Sequence, residues 1–69
     1  MTIYRYYTLQ RPPAPGAIPP GAVNVGEFYQ KSMVDKINRK AWGFADYPKR
    51  LDVQTVHQYE LRFGGEIEQ

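Results

Sequence analysis

The sequence contains no cysteine and only one histidine. Disulfide staples, thiolate metal sites and cysteine nucleophiles are excluded at once. One imidazole without thiolates cannot assemble the usual four-ligand zinc site. A secreted domain of 69 residues usually relies on staples, so their absence points to a reducing, cytoplasmic setting. No run approaches the roughly 18 apolar residues that a membrane helix needs. The opening MTIYRYYTLQ lacks an apolar stretch of signal-peptide length. The glycines are scattered, and neither GGE nor PPG has the form of a phosphate-binding loop.

Catalytic sets are equally scarce. His57 as a base with Ser32 as nucleophile lacks an orienting third group and any local G-x-S-x-G context. Ser32 reads instead as a residue at a helix start. Glu66 and Glu68 are paired but lie in the expected tail, which argues against a catalytic carboxylate pair. We therefore expect no enzyme, and assign no catalytic, cofactor-binding or metal-binding residue.

What the chain does have is aromatic bulk and proline. One tryptophan, six tyrosines and three phenylalanines make a small core viable. A core of this size rarely supplies more than about 3–5 kcal/mol. TIYRYYTL, residues 2–9, alternates as a strand, with Ile3, Arg5, Tyr7 and Leu9 on one face and Tyr4, Tyr6 and Thr8 on the other. The proline-rich stretch 11–21 predicts a largely extended strap, since proline lacks the ladder donor and favours extended neighbours. Ile18 is its expected buried anchor. AVNVGEF predicts a second short strand. In QKSMVDKINRKA, Met33, Val34, Ile37 and Ala41 fall at helical spacing. AWGFADY predicts a strand, Asp52 an N-cap for a short helix, and Tyr59 to Phe63 a last strand.

The sum is an α+β mini-domain of the order β-β-α-β-α-β, with one sheet of three to four strands and one or two short helices on one face. Residues 1–63 form a single domain, and 64–69 a flexible tail. The expected core is Ile3, Leu9, Val23, Val25, Met33, Val34, Ile37, Trp42, Phe44, Leu51, Val56, Leu61 and Phe63.

Net charge is only +2, but unevenly spread. Residues 1–30 carry Arg5 and Arg11 against Glu27, for +1. Residues 31–50 carry Lys31, Lys36, Arg39, Lys40, Lys49 and Arg50 against Asp35 and Asp46, for +4. Residues 51–69 carry Arg62 against Asp52, Glu60, Glu66 and Glu68, for −3. A basic middle suits an acidic partner, and tyrosine and arginine are the residues that anchor interfaces. The candidate partner-binding set is Tyr4, Tyr6, Arg11, Tyr29, Lys36, Arg39, Lys40, Tyr47, Lys49 and Arg50. The same residues suit phosphate contacts and base stacking, so a small RNA- or DNA-binding protein is the alternative. Pro12-x-x-Pro15 invites a polyproline-ligand reading, but Arg11 directly abuts Pro12 and position 17 is alanine, which fits neither binding orientation.

YRYYTLQRPPAPGAIP together with AWGFADY resembles a group of short uncharacterised proteins of phages and integrative elements of gut bacteria. The matching residues are Gln10, Arg11, Pro12, Pro15, Gly16, Pro19, Ala41, Trp42, Gly43, Asp46, Tyr47, Leu51, Tyr59 and Leu61. The resemblance brings no catalytic residues. It implies a mobile-element accessory protein that acts by binding, such as an inhibitor of a bacterial defence nuclease of the anti-CRISPR kind. The partner would then be a protein, including a CRISPR effector or its guide-RNA complex.

If the prolines stiffen the strap, replacing Pro12, Pro13 and Pro15 together with alanine lowers the melting temperature, while Arg11→Ala matters less. A triple variant that melts like the parent but no longer binds its partner would revive the ligand reading.

Overall fold

The computed structural model describes every residue from Met1 to Gln69. The elements are β1 (Thr2–Thr8), β2 (Asn24–Val34), β3 (Arg39–Tyr47), α1 (Val53–Gln58) and β4 (Leu61–Glu68). The strands form one antiparallel sheet in the order β2-β3-β1-β4. The chain is a small α+β domain of four strands and one short helix. No helix is long and apolar enough to cross a membrane.

β1 lies between β3 and β4 and works on both faces, as its alternation requires. On one face Tyr6 clusters with Ala45, Tyr47 and Leu61. The strap (Ile18, Ala22), the chain before α1 (Leu51), α1 itself (Val56) and Phe63 pack against this cluster. On the other, Tyr7 clusters with Leu9, Ile37 and Ala41, and Phe28, Val34 and Phe44 cover it.

The segment expected as the first helix is instead a hairpin. β2 runs on to Val34, residues 35–38 turn, and β3 starts at Arg39. Asn38 sits at φ 54, a left-handed conformation that asparagine tolerates. Its amide donates to the Asp35 carbonyl at 3.2 Å. Val34, Ile37 and Ala41 recur at helical spacing only because a turn separates two strands, and all three join the Tyr7 cluster. Met33, which a helix would have buried, is 55 % exposed.

Residues 64–68 are likewise not a tail. They are the second half of β4, paired with β1 down to Glu68 opposite Thr2. The register shifts where Arg5 pairs with Gly65 and Tyr6 with Phe63, leaving Gly64 as a bulge. A Cβ on Gly64 would overlap the Tyr7 ring, so the glycine that resembles fraying is what lets β4 pass this aromatic.

The strap is less extended than its prolines predict. Ala17 donates to the Ala14 carbonyl at 2.8 Å, and Pro15 bridges Ile18. Pro13 and Pro19 are its buried residues, and Ile18 is only partly covered. Pro13 lies against Gly43. Val23 and Val25, expected inside, are exposed at the β2 edge of the sheet. Asp52 caps α1 as expected, its Oδ1 accepting from the Thr55 amide at 2.7 Å, and that hydrogen bond holds the carboxyl below its ordinary pKa.

Gly26 is the floor on which the Phe44 ring rests, and a methyl group there would overlap the ring. Gly26→Ala should therefore destabilise the fold by roughly 1–3 kcal/mol in urea titrations. In a Phe44→Leu background the same substitution should cost clearly less, and equal costs in both backgrounds would refute the contact.

Candidate partner-binding surface

The structure sorts the sequence-derived site residues into three groups. Tyr6 and Tyr47 are each 2 % exposed and unavailable as surface anchors. Their rings meet edge-on at 6.1 Å. The Tyr6 hydroxyl accepts from the Leu51 amide at 2.9 Å, and that of Tyr47 donates to the Pro19 carbonyl at 2.7 Å. Desolvation, with the neighbouring Tyr59 adding to it, pushes the Tyr47 phenol up to about 12. Tyr4 is half-buried against the same cluster. These tyrosines fasten the fold.

The second group lies around the strap and α1. Arg11 pairs with Glu60 at 2.9 Å, tying the strap's start to the start of β4. Lys49 and Arg50 follow the C-terminal end of β3, and the Arg50 guanidinium stands 4.6 Å over the Phe63 ring. Two apolar hollows open on this face. One of about 590 Å³ lies under the strap, lined by Pro13, Ile18, Ala22, Val25 and Tyr59. The other, of about 580 Å³, lies beside α1 between Tyr6, Leu51, Val56, His57 and Phe63.

The third group is at the opposite end of β3. Pairing between β1 and β3 stops at Thr8 opposite Gly43. Beyond it, β2 and β3 pair only with each other, through Ser32–Ala41, Met33–Lys40 and Val34–Arg39. The register shift between Glu27 and Ser32 leaves Phe28, Tyr29, Gln30 and Lys31 opposite Trp42. Such a bulge bends a ribbon, and here the turn residue Ile37, 6 % exposed, is seated in the Tyr7 cluster. Tyr29 stands at the bulge fully exposed, and Met33 is also open.

Lys36, Arg39 and Lys40, expected to act together with Lys49 and Arg50, are thus parted from them by the length of β3. They are joined instead by Lys31 and Met33 on the same arm. The helical reading of this segment had turned Met33 inward and missed both residues. The signal that finds them is the Asp35–Asn38 turn chemistry together with the alternation of Tyr29, Lys31 and Met33. The ion pairs of the molecule are Met1–Glu68, Arg5–Asp46 and Arg11–Glu60, so every cation of the arm is unpaired.

Ser32 and His57 do not meet as a catalytic pair. Ser32 lies in β2 with its hydroxyl donating to the Gln30 carbonyl at 2.9 Å, and His57 lies on α1. No group of three or more histidines or carboxylates is placed to hold a metal ion.

Residues 1–65 match the family described as defence against restriction A C-terminal, and the chain belongs to that family. The match bears out the defence-related, mobile-element context that the sequence resemblance implied. No curated protein matches the chain, and no solved structure does.

The Tyr47 phenol ties this surface to the strap, and its raised pKa sets a pH limit. The fold favours the neutral phenol, so the associated stability is fully present below about pH 10 and is lost as pH climbs towards 12. Tyr47→Phe should flatten stability across that window. It should also cost roughly 1–3 kcal/mol at neutral pH, because the buried Pro19 carbonyl loses its donor. Denaturant midpoints at stepped pH check both effects.

Proposed function

We propose that this member of the defence against restriction A C-terminal family acts without enzymatic chemistry, as a stoichiometric inhibitor of a bacterial defence nuclease in the host cytoplasm. The family description supports a restriction enzyme as the first target class. A CRISPR effector or its guide-RNA complex is the narrower target that the sequence resemblance suggests.

The observation that carries a binding role is the arm. It holds Tyr29 and Met33 in the open on a ribbon whose turn is seated in the core. An anchor fixed before binding loses little conformational entropy on association. Aromatic anchors of this kind supply much of an interface's energy. The surface is basic, so the chain does not imitate a nucleic acid. It addresses the acidic or phosphate-bearing parts of a nuclease complex.

The test is titration of the purified chain into a restriction digest at fixed enzyme concentration. Inhibition should saturate at a fixed molar ratio to the nuclease and should not deepen with time. Tyr29→Ala should weaken it about tenfold or more, equivalent to at least about 1.4 kcal/mol. Time-dependent inactivation by sub-stoichiometric amounts would overturn the non-enzymatic reading. Absence of inhibition across restriction and CRISPR nucleases of a susceptible host would overturn the function.

A further inference from the structure

Between Phe28 and Trp42 the sheet narrows to two strands, and this ribbon carries the densest free positive charge in the molecule. Lys31, Lys36, Arg39 and Lys40 stand there against Asp35 alone, for a net +3. None of them is in an ion pair. Lys36 reaches back over β4, its Nζ 3.8 Å from where a Gly65 side chain would begin, and so is turned towards the body. Lys36 is nonetheless exposed, and Lys31, Arg39 and Lys40 are exposed without turning back, near the fully exposed Tyr29.

We propose that the free side of this arm lies on the phosphate backbone of duplex DNA, with Lys31 and Lys40 from its open face and the exposed Arg39 from around its edge on phosphates, and Tyr29 against the groove wall. The assignment takes from the inhibitory reading only the choice of the arm as contact surface, and it names DNA, not the nuclease protein, as what the arm touches. Three observations favour phosphate over protein. First, the cores of protein interfaces are depleted of lysine, whereas lysine is an ordinary phosphate ligand. Three of the arm's four exposed cations are lysines, and only Tyr29 and Met33 supply apolar anchors. Second, a two-stranded ribbon fits the major groove, which is about 12 Å wide. Third, the seating of Ile37 fixes the ribbon's shape, so little order remains to be imposed when DNA arrives.

The experiment is fluorescence anisotropy of the whole chain on a mixed-sequence duplex of about 20 base pairs, between about 50 and 200 mM salt. Three phosphate contacts predict a slope of log K against log salt near −2.7, or roughly a 40-fold loss across that range. The Lys31→Ala/Arg39→Ala/Lys40→Ala variant should lose most of the binding and bring the slope near zero. Arg62→Ala, a cation on β4 outside the arm, should leave the slope in place. Thermal melts verify that each variant is folded. Absent duplex binding overturns the proposal, as does an unchanged slope in the folded triple variant, or binding to single-stranded RNA alone.

Titrating the nuclease with and without DNA separates the two readings. Equal, salt-insensitive binding to DNA-free nuclease leaves the inhibitor standing and removes the DNA contact. Duplex binding with the predicted slope, but without inhibition of any nuclease, does the reverse.

Discussion

Arg5 and Asp46 form the contact on which the rest of the sheet depends. Asp46 is wholly buried, and the guanidinium meets it with two hydrogen bonds, Nε to Oδ1 at 2.8 Å and NH2 to Oδ2 at 2.9 Å. Those bonds raise the Arg5 pKa above its ordinary value, so the cation persists at any working pH. A buried carboxylate left without its partner carries a penalty of several kcal/mol. Because Arg5 lies directly opposite Asp46, sliding β1 by one residue would move the cation to the other face and strand the anion. The pair therefore locks the β1–β3 register. Arg5 also lies 3.8 Å over the Phe44 ring, whose position over Gly26 sets β2. The Asp46 carbonyl accepts from the Val23 amide at 2.8 Å, fixing where the strap rejoins the sheet.

Much of this was legible in the sequence, and what was not has a common cause. The strand of alternating tyrosines, the Asp52 cap and the strand through Trp42 and Phe44 are set by neighbours in the chain. The hairpin was hidden because Val34, Ile37 and Ala41 satisfy a helical period as well as a turn between strands. Only contact with Tyr7 and Leu9, far away in sequence, decides between them. Gly64 carries no periodic signal, and its role appears only once the Tyr7 ring is placed. The tyrosines show the same limit. Tyr6 and Tyr47 were as plausible outside as inside until partners 45 and 28 residues away accounted for their hydroxyls.

The candidate site follows the same division. Both faces of the central strands are closed, one by the strap and α1, the other by the returning arm. Adhesive groups are left at the periphery, chiefly on the arm. Membership of a family concerned with defence against restriction gives such a surface a natural use. A rigid body that carries one basic, aromatic ribbon can occupy a site without reacting in it. The charges at 31, 36, 39 and 40 were visible in the sequence. Their distance from Lys49 and Arg50 is set by β3, which starts at Arg39 and ends at Tyr47 and so carries the two groups at its opposite ends.

The bulge at Phe28–Lys31 has a bearing on solubility as well as on recognition. β2 is an edge strand of eleven residues with Val25 and Met33 exposed, the kind of rim that recruits further strands from other molecules. Its row of free amides and carbonyls is broken midway where four residues stand opposite one, and Gly64 interrupts the opposite rim as a bulge of its own. Neither border of the sheet presents an unbroken ladder. A chain that places sticky side chains in the open thus lacks a continuous rim on which strand could add to strand.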